Sequence, residues 1–177
     1  MKKKFLIDQA IVNSIGGAFQ HAGIYVKGLK DNDKRKDELR KALAESLRTF
    51  ETAYGKSIDE ETHSKNIVEL AANLTESHKN SGVLRDNRFR IGIAQKALNL
   101  YLKYLWCLDE IESPPHCPID RRIIEKLDLD RRNPEKYNWT KLDNIEEYKY
   151  LIEKCRKKAK EAGNLSLAEW ELNVWTF

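Results

Sequence analysis

Apolar residues recur along this chain at intervals of three and four, the period of an α-helix, while the alternating pattern of a half-buried strand is scarce. Across residues 33–54, Leu39, Leu43, Leu47 and Phe50 keep that spacing, and Gly55 supplies a natural stop. The stretch "SIDE" then offers Ser57 as a helix N-cap with Glu60 three positions on, a capping box. It predicts a helix that buries Ile67, Leu70, Ala71 and Leu74 and ends before Gly82. A polar connector over 85–90 leads into a third helix across about 93–108. There Ala94, Ala97, Leu98, Tyr101, Leu105 and Leu108 share one broad face.

"ESPPHCP" must break that helix, because proline lacks an amide proton and clashes with the turn before it. A short helix over 120–127 follows, then the loop "DLDRRNPEKYNWT", and then a helix over 143–162 that stops at Gly163. In "SLAE", Ser166 and Glu169 form a further capping box before a last helix containing Trp170 and Trp175. No internal repeat, low-complexity tract or flexible linker interrupts the pattern. The expectation is one all-α domain over 1–177.

Composition narrows the class without deciding the function. With 177 residues, 41% hydrophobic and 34% charged, the chain can bury a core under a strongly charged surface. A net charge of +4 allows a nucleic-acid partner but does not demand one. Three cysteines, Cys107, Cys117 and Cys155, are an odd number without C-x-x-C spacing, which speaks against a disulfide framework and against zinc. The start, "MKKKFLIDQAIVNSIGG", opens like a signal peptide, but Asp8, Gln9 and Asn13 interrupt its apolar run. No stretch nears the roughly 20 apolar residues of a membrane span. The chain therefore reads as cytoplasmic, monomeric and without a membrane partner.

Local charge says more than the total. Arg85, Arg88 and Arg90 precede the third helix, whereas Arg121, Arg122, Arg131 and Arg132 follow Asp120. The run Lys154, Arg156, Lys157, Lys158 and Lys160 reads as a solvated helix face. Within the third helix, Lys96, Asn99 and Lys103 lie three and four apart, a polar line beside the apolar face. Such a line is ordinarily solvent-exposed. A helix start just after Gly92, however, would leave backbone amides free to grip a phosphate. The same positive field, acting on Lys96 in the first turn, would favour its free amine as a nucleophile. The proline-stiffened loop meanwhile delivers one acid, Asp120, to a fixed place.

These residues resemble the signature of the helix-hairpin-helix DNA glycosylase superfamily, called HhH-GPD. In that family a hairpin L-P-G-[VI]-G-x-K precedes a helix, a loop, and P-V-D-x-x-[VI]-x-R-[VI]-x-x-R-L. Here Gly92, Ile93 and Lys96 match the first glycine, the aliphatic position and the lysine; Pro118, Ile119 and Asp120 match P-V-D. Arg90, Ile91 and Ala94 replace the family's leucine, proline and second glycine, so the match is that of a divergent member.

The resemblance implies a compact HhH-GPD-like helical fold that binds duplex DNA and flips a damaged or modified base into a pocket. It makes Lys96 the nucleophile and Asp120 the acid that stabilises charge on the deoxyribose, with no cofactor and no metal. The hairpin backbone of Gly92, Ile93 and Ala94, together with Arg88, Arg90, Arg121 and Arg122, would contact DNA. Asn99, Lys103 and His116 are candidate pocket residues, and Lys103 is a second candidate nucleophile. The tryptophans Trp106, Trp139, Trp170 and Trp175 can stack on a base, although helical spacing usually marks them as core. Repair of the cell's own DNA and defence against modified phage DNA are equally compatible with the match. The alternative is a non-catalytic helical module that binds DNA or another protein. Asp128 and Asp130 are expected to be salt-bridge partners rather than metal ligands.

Overall fold

The computed structural model describes residues 1–129, 137–163 and 165–175. Among them the fold is all-helical, as the periodicity predicts. The elements are α1 (Lys2–Phe19), α2 (Lys34–Ala53), α3 (Glu60–His78), α4 (Ile91–Cys107), α5 (Arg121–Lys126), α6 (Ile145–Glu161) and α7 (Leu167–Trp175), with a 3-10 turn at Arg85–Asn87. No strand occurs among the described residues; one antiparallel bridge joins Tyr25 to Leu84. Among the described residues, no helix is long and apolar enough to cross a membrane.

The apolar stripe of α2, Leu39, Leu43 and Leu47, is fully buried, and Ile67, Leu70, Ala71 and Leu74 of α3 join the same core. The boundaries shift where a stronger cap competes. The N-cap of α3 is Asp59, not Ser57: its carboxylate accepts 2.8 Å hydrogen bonds from the Thr62 amide and hydroxyl. A carboxylate satisfies two donors and also suits the positive end of the helix better than a hydroxyl. The box at Ser166 and Glu169 forms as predicted: the Ser166 amide donates to Glu169 Oε2 over 2.8 Å, and the Glu169 amide to Ser166 Oγ over 3.2 Å.

Helix α1 has no counterpart among the helices predicted from the pattern, and it is a main support of α4. Ala10, Ile11, Ile15 and Ala18 face the core, whereas Gln9 and Asn13 lie on the outer side and the half-buried Asp8 pairs with Arg48 of α2 at 2.7 Å. The two helices come close at Gly17, where a β-carbon would stand 2.9 Å from Leu100 Cδ1. With α1 on one side and α3 on another, α4 is buried around almost its whole circumference. The line of Lys96, Asn99 and Lys103 is therefore internal rather than solvated. Lys96 and Lys103 are each 9% exposed and Asn99 is completely shielded.

Candidate active site

A buried lysine needs a partner, and each of the two on α4 has one. Lys96 Nζ lies 3.5 Å from Asp120 Oδ2, while Lys103 Nζ lies 3.0 Å from Glu171 Oε1. Asp120 is the N-cap of α5, where its Oδ1 accepts the Ile123 amide over 3.2 Å. One carboxylate oxygen thus holds the helix and the other faces the amine.

The approach of Asp120 is set by Gln95, a residue the sequence pattern does not single out. Its side-chain amide donates to the Ile119 carbonyl (2.7 Å) and accepts from the Ile119 amide (3.0 Å), as a neighbouring strand would. Asn99 Nδ2 adds a 3.2 Å bond to the Cys117 carbonyl. The segment before Asp120 is thereby hydrogen-bonded along α4. The available signal was a glutamine beside Lys96 on a helix already rich in apolar positions.

Lys96 and Asp120 stand at the wall of a cleft of about 640 Å³, also lined by Gln20, His21, Arg121, Arg122 and Trp139. The Lys96 ammonium sits 4.2 Å from the centre of the Trp139 ring. Burial holds the Lys96 amine below the ordinary lysine range; the Asp120 carboxylate opposes this, and Lys103 reinforces it. The helix-end field is not needed for the effect. Helix α4 begins at Ile91, so Lys96 lies in its second turn rather than its first.

The expected phosphate grip at Gly92, Ile93 and Ala94 is corrected by the structure. All three are buried, and their amides already have protein acceptors. Gly92 donates to the Leu142 carbonyl (2.8 Å), while Ile93 and Ala94 donate to the Arg90 carbonyl (3.0 and 3.1 Å). Ile91 donates to Asp143 Oδ1 over 3.2 Å, so the start of α4 is capped from within the chain.

Arg90 likewise turns inward, which corrects its expected role at a DNA surface. Its guanidinium donates over 2.7 Å both to the Thr140 carbonyl and to the Ala22 carbonyl. It straps the turn carrying Trp139 to the segment after α1, where His21 adopts a left-handed φ of 58°. Two walls of the cleft are fastened together in this way. Arg88 remains largely exposed and pairs with Asp143. Arg121 and Arg122 are exposed at the cleft rim; Arg121 pairs with Glu125 at 2.7 Å, and the Arg122 guanidinium lies 4.3 Å from the Trp175 ring centre. Arg131, Arg132 and Asp130 lie outside the described residues, and Asp128 pairs with Lys158 at 2.7 Å.

Asn99 and His116 do not line this cleft; they belong to a buried polar network behind it. Asn99 bonds His63 Nε2 (2.9 Å) and the Tyr148 hydroxyl (2.9 Å), and Tyr148 meets His116 Nδ1 (3.0 Å). The Tyr54 hydroxyl closes the chain at His63 Nδ1 over 2.6 Å. Their placement as pocket residues is corrected: every polar group of the Asn99 side chain is spent on internal partners. Lys103 is held by Glu171 and is likewise not among the residues that line the cleft. Of the tryptophans, Trp139 alone lines it; Trp170 is in the core, Trp106 is half-buried, and Trp175 covers Lys103 and Arg122.

What the arrangement offers chemically is an amine of reduced basicity beside a fixed carboxylate, an aromatic face over the amine, and arginines at the mouth. No protein-family profile, characterised protein or solved structure matches the chain.

Proposed function

We propose that this chain is a divergent HhH-GPD DNA glycosylase with lyase activity, which excises a damaged or modified base flipped into the Lys96 cleft. The observation that carries the reading is the meeting of Lys96 and Asp120 at 3.5 Å on the wall of an open cleft, although 24 residues separate them in the chain. A chance sequence match would give no reason for the predicted nucleophile and the predicted acid to share one cavity.

In the proposed reaction the free Lys96 amine attacks the C1′ carbon of the deoxyribose. The C1′–N bond breaks, and the base leaves with the bonding electrons. Asp120 stabilises the positive charge that builds on the sugar and accepts the proton shed by the attacking nitrogen. The sugar ring then opens to a protonated imine as Asp120 passes its proton to O4′. The base, which left as an anion, takes a C2′ proton, and the electrons of that C–H bond expel the 3′ phosphate and cut the strand. Trp139 supplies a face against which a base can stack. Arg121 and Arg122 hold the backbone at the rim, since the amides at the start of α4 are already engaged.

Borohydride trapping on duplexes bearing an abasic site or a panel of modified bases tests the reading. Hydride reduces the imine to a stable amine, so wild type should give a covalent adduct. Lys96→Ala should abolish it, and Asp120→Asn should slow it by about 100-fold or more. An adduct that survives Lys96→Ala and vanishes with Lys103→Ala would move the chemistry elsewhere. With no adduct and no abasic product on any duplex, the non-catalytic DNA-binding reading replaces this one.

A further inference from the structure

Lys103 and Glu171 make a second ion pair on the helix that carries Lys96. Glu171 comes from α7 and is fully shut off from solvent, with Oε1 at 3.0 Å from Lys103 Nζ. Its other oxygen, Oε2, is buried and accepts no hydrogen bond among the described residues. A buried ion pair offsets its desolvation only when the remaining lone pairs are bonded, and here one oxygen is not. Apolar side chains would join α7 to α4 at less cost. What this pair has that an apolar contact lacks is charge.

The position of that charge is informative. Lys96 and Lys103 are seven residues apart on α4, two turns and roughly 10 Å along its axis, on the same side of the helix. Each is almost wholly buried and each faces a carboxylate from another element. The chain thus encloses two lysines and two acids close to one cleft. We infer that Lys103 and Glu171 are positioning residues for Lys96: their balance of charge governs how readily the Lys96 ammonium gives up its proton to become the free amine. The consequence for catalysis rests on the proposed function, but the titration of Lys96 does not.

The groups facing Lys96 limit what else can set its charge. Asp120 at the start of α5 opposes loss of the proton, and the Trp139 ring from the following turn favours the cation. His21, Arg121, Arg122 and Glu125 line the open part of the cleft, where Arg121 and Glu125 neutralise each other in solvent. Among the described residues, the remaining buried charges are Lys103 and, behind it, Glu171. Lys103 acts to lower the Lys96 titration, in the same direction as burial. Glu171 is itself pushed up by burial, with Lys103 pulling it down and Asp120 pushing it further up.

The two single substitutions should act with opposite signs. Lys103→Met removes a cation and should raise the midpoint of Lys96. Glu171→Gln leaves the Lys103 charge unbalanced and should lower it. Each shift should be on the order of one pH unit, the size expected for a unit charge ~10 Å away in a partly buried setting. Lys103→Met/Glu171→Gln removes both charges and should return the midpoint near wild type.

The midpoint is read from the Lys96 13Cε shift in lysine-labelled protein, assigned with Lys96→Arg. A loss of packing alone would move both singles the same way. Movement in one direction, or no movement in either single, overturns the inference. Should Lys103→Met fail to fold, Glu171→Gln and the double variant decide it. Trapping on an abasic duplex separates the two claims. Shifted midpoints without any adduct sink the glycosylase reading and leave the inference standing, whereas an adduct with unmoved midpoints does the reverse.

Discussion

A β-carbon on Gly92 would stand 1.9 Å from the Trp139 carbonyl oxygen and 3.1 Å from Leu142. The sequence pattern marks this glycine for a different reason, as part of a phosphate-binding hairpin. The structure gives it another task, to let the turn that bears Trp139 lie directly against the start of α4. Its φ is not left-handed, so close approach rather than conformational freedom is what requires glycine. Gly92→Ala should therefore destabilise the protein by about 1–3 kcal/mol through overpacking, even though alanine favours the helix by about 1 kcal/mol. A urea melt measures this; an unchanged midpoint would mean that the turn moves away freely. The same residue illustrates what sequence reasoning could not reach. A glycine's neighbour in space, here a carbonyl 47 residues later, leaves no mark on the local pattern.

At the scale of elements, α5 shows two duties placed on one side chain. Asp120 caps its six residues through Oδ1 and faces Lys96 through Oδ2. Asparagine keeps the capping oxygen but loses the charge, whereas alanine loses both. Asp120→Asn should accordingly leave the helix capped, while Asp120→Ala should cost about 1 kcal/mol more in thermal stability. Both substitutions remove the group that keeps the Lys96 proton in place, so both should lower the Lys96 midpoint further. Equal melting temperatures for the two variants would show that the cap contributes nothing. The short helix was legible because "PID" ends a proline-stiffened loop just before an aliphatic-basic run. Helix α1 was not, because Asp8, Gln9 and Asn13 read as breaks in an apolar segment. Gln9 and Asn13 lie on its exposed side and the half-buried Asp8 pairs with Arg48 of α2, an arrangement that could be recognised only once α2 and α4 lay against the helix.

Over the whole molecule, the buried network links α3, α4 and α6 with the loop before α5 and the end of α2. Tyr54, His63, Asn99, Tyr148 and His116 satisfy one another there with almost no access to water. Burial pushes the His63 imidazole down to about 4, with Asn99 opposing, and the His116 imidazole down to about 2. The native state thus holds both rings neutral while the unfolded chain takes up protons near pH 6.5. Stability from these groups is full above pH 6.5 and is lost as pH falls towards the folded values, because the unfolded state binds more protons. For His63 alone the loss between pH 6.5 and 4 is about 3 kcal/mol. Urea midpoints measured from pH 7 to 4 should fall accordingly, and His63→Gln should flatten part of that slope. A flat wild-type profile would mean that the rings reach water.

The all-helical class and most helix spans follow from the sequence alone, because a period of 3.6, the capping box at Ser166 and the stop at Gly163 are local properties of the chain. The sequence also picked out Lys96 and Asp120, since a lysine on an apolar helix and an acid after a rigid loop are odd locally. Only the tertiary structure decided that the two meet, that Gln95 lays the segment before Asp120 along α4, and that Arg90 fastens the cleft walls. The same holds for the amides at the start of α4, which are closed off by Leu142 and Asp143. Each of these outcomes depends on which distant atom fills a hydrogen bond or a gap, and that choice is made by packing rather than by neighbours in sequence.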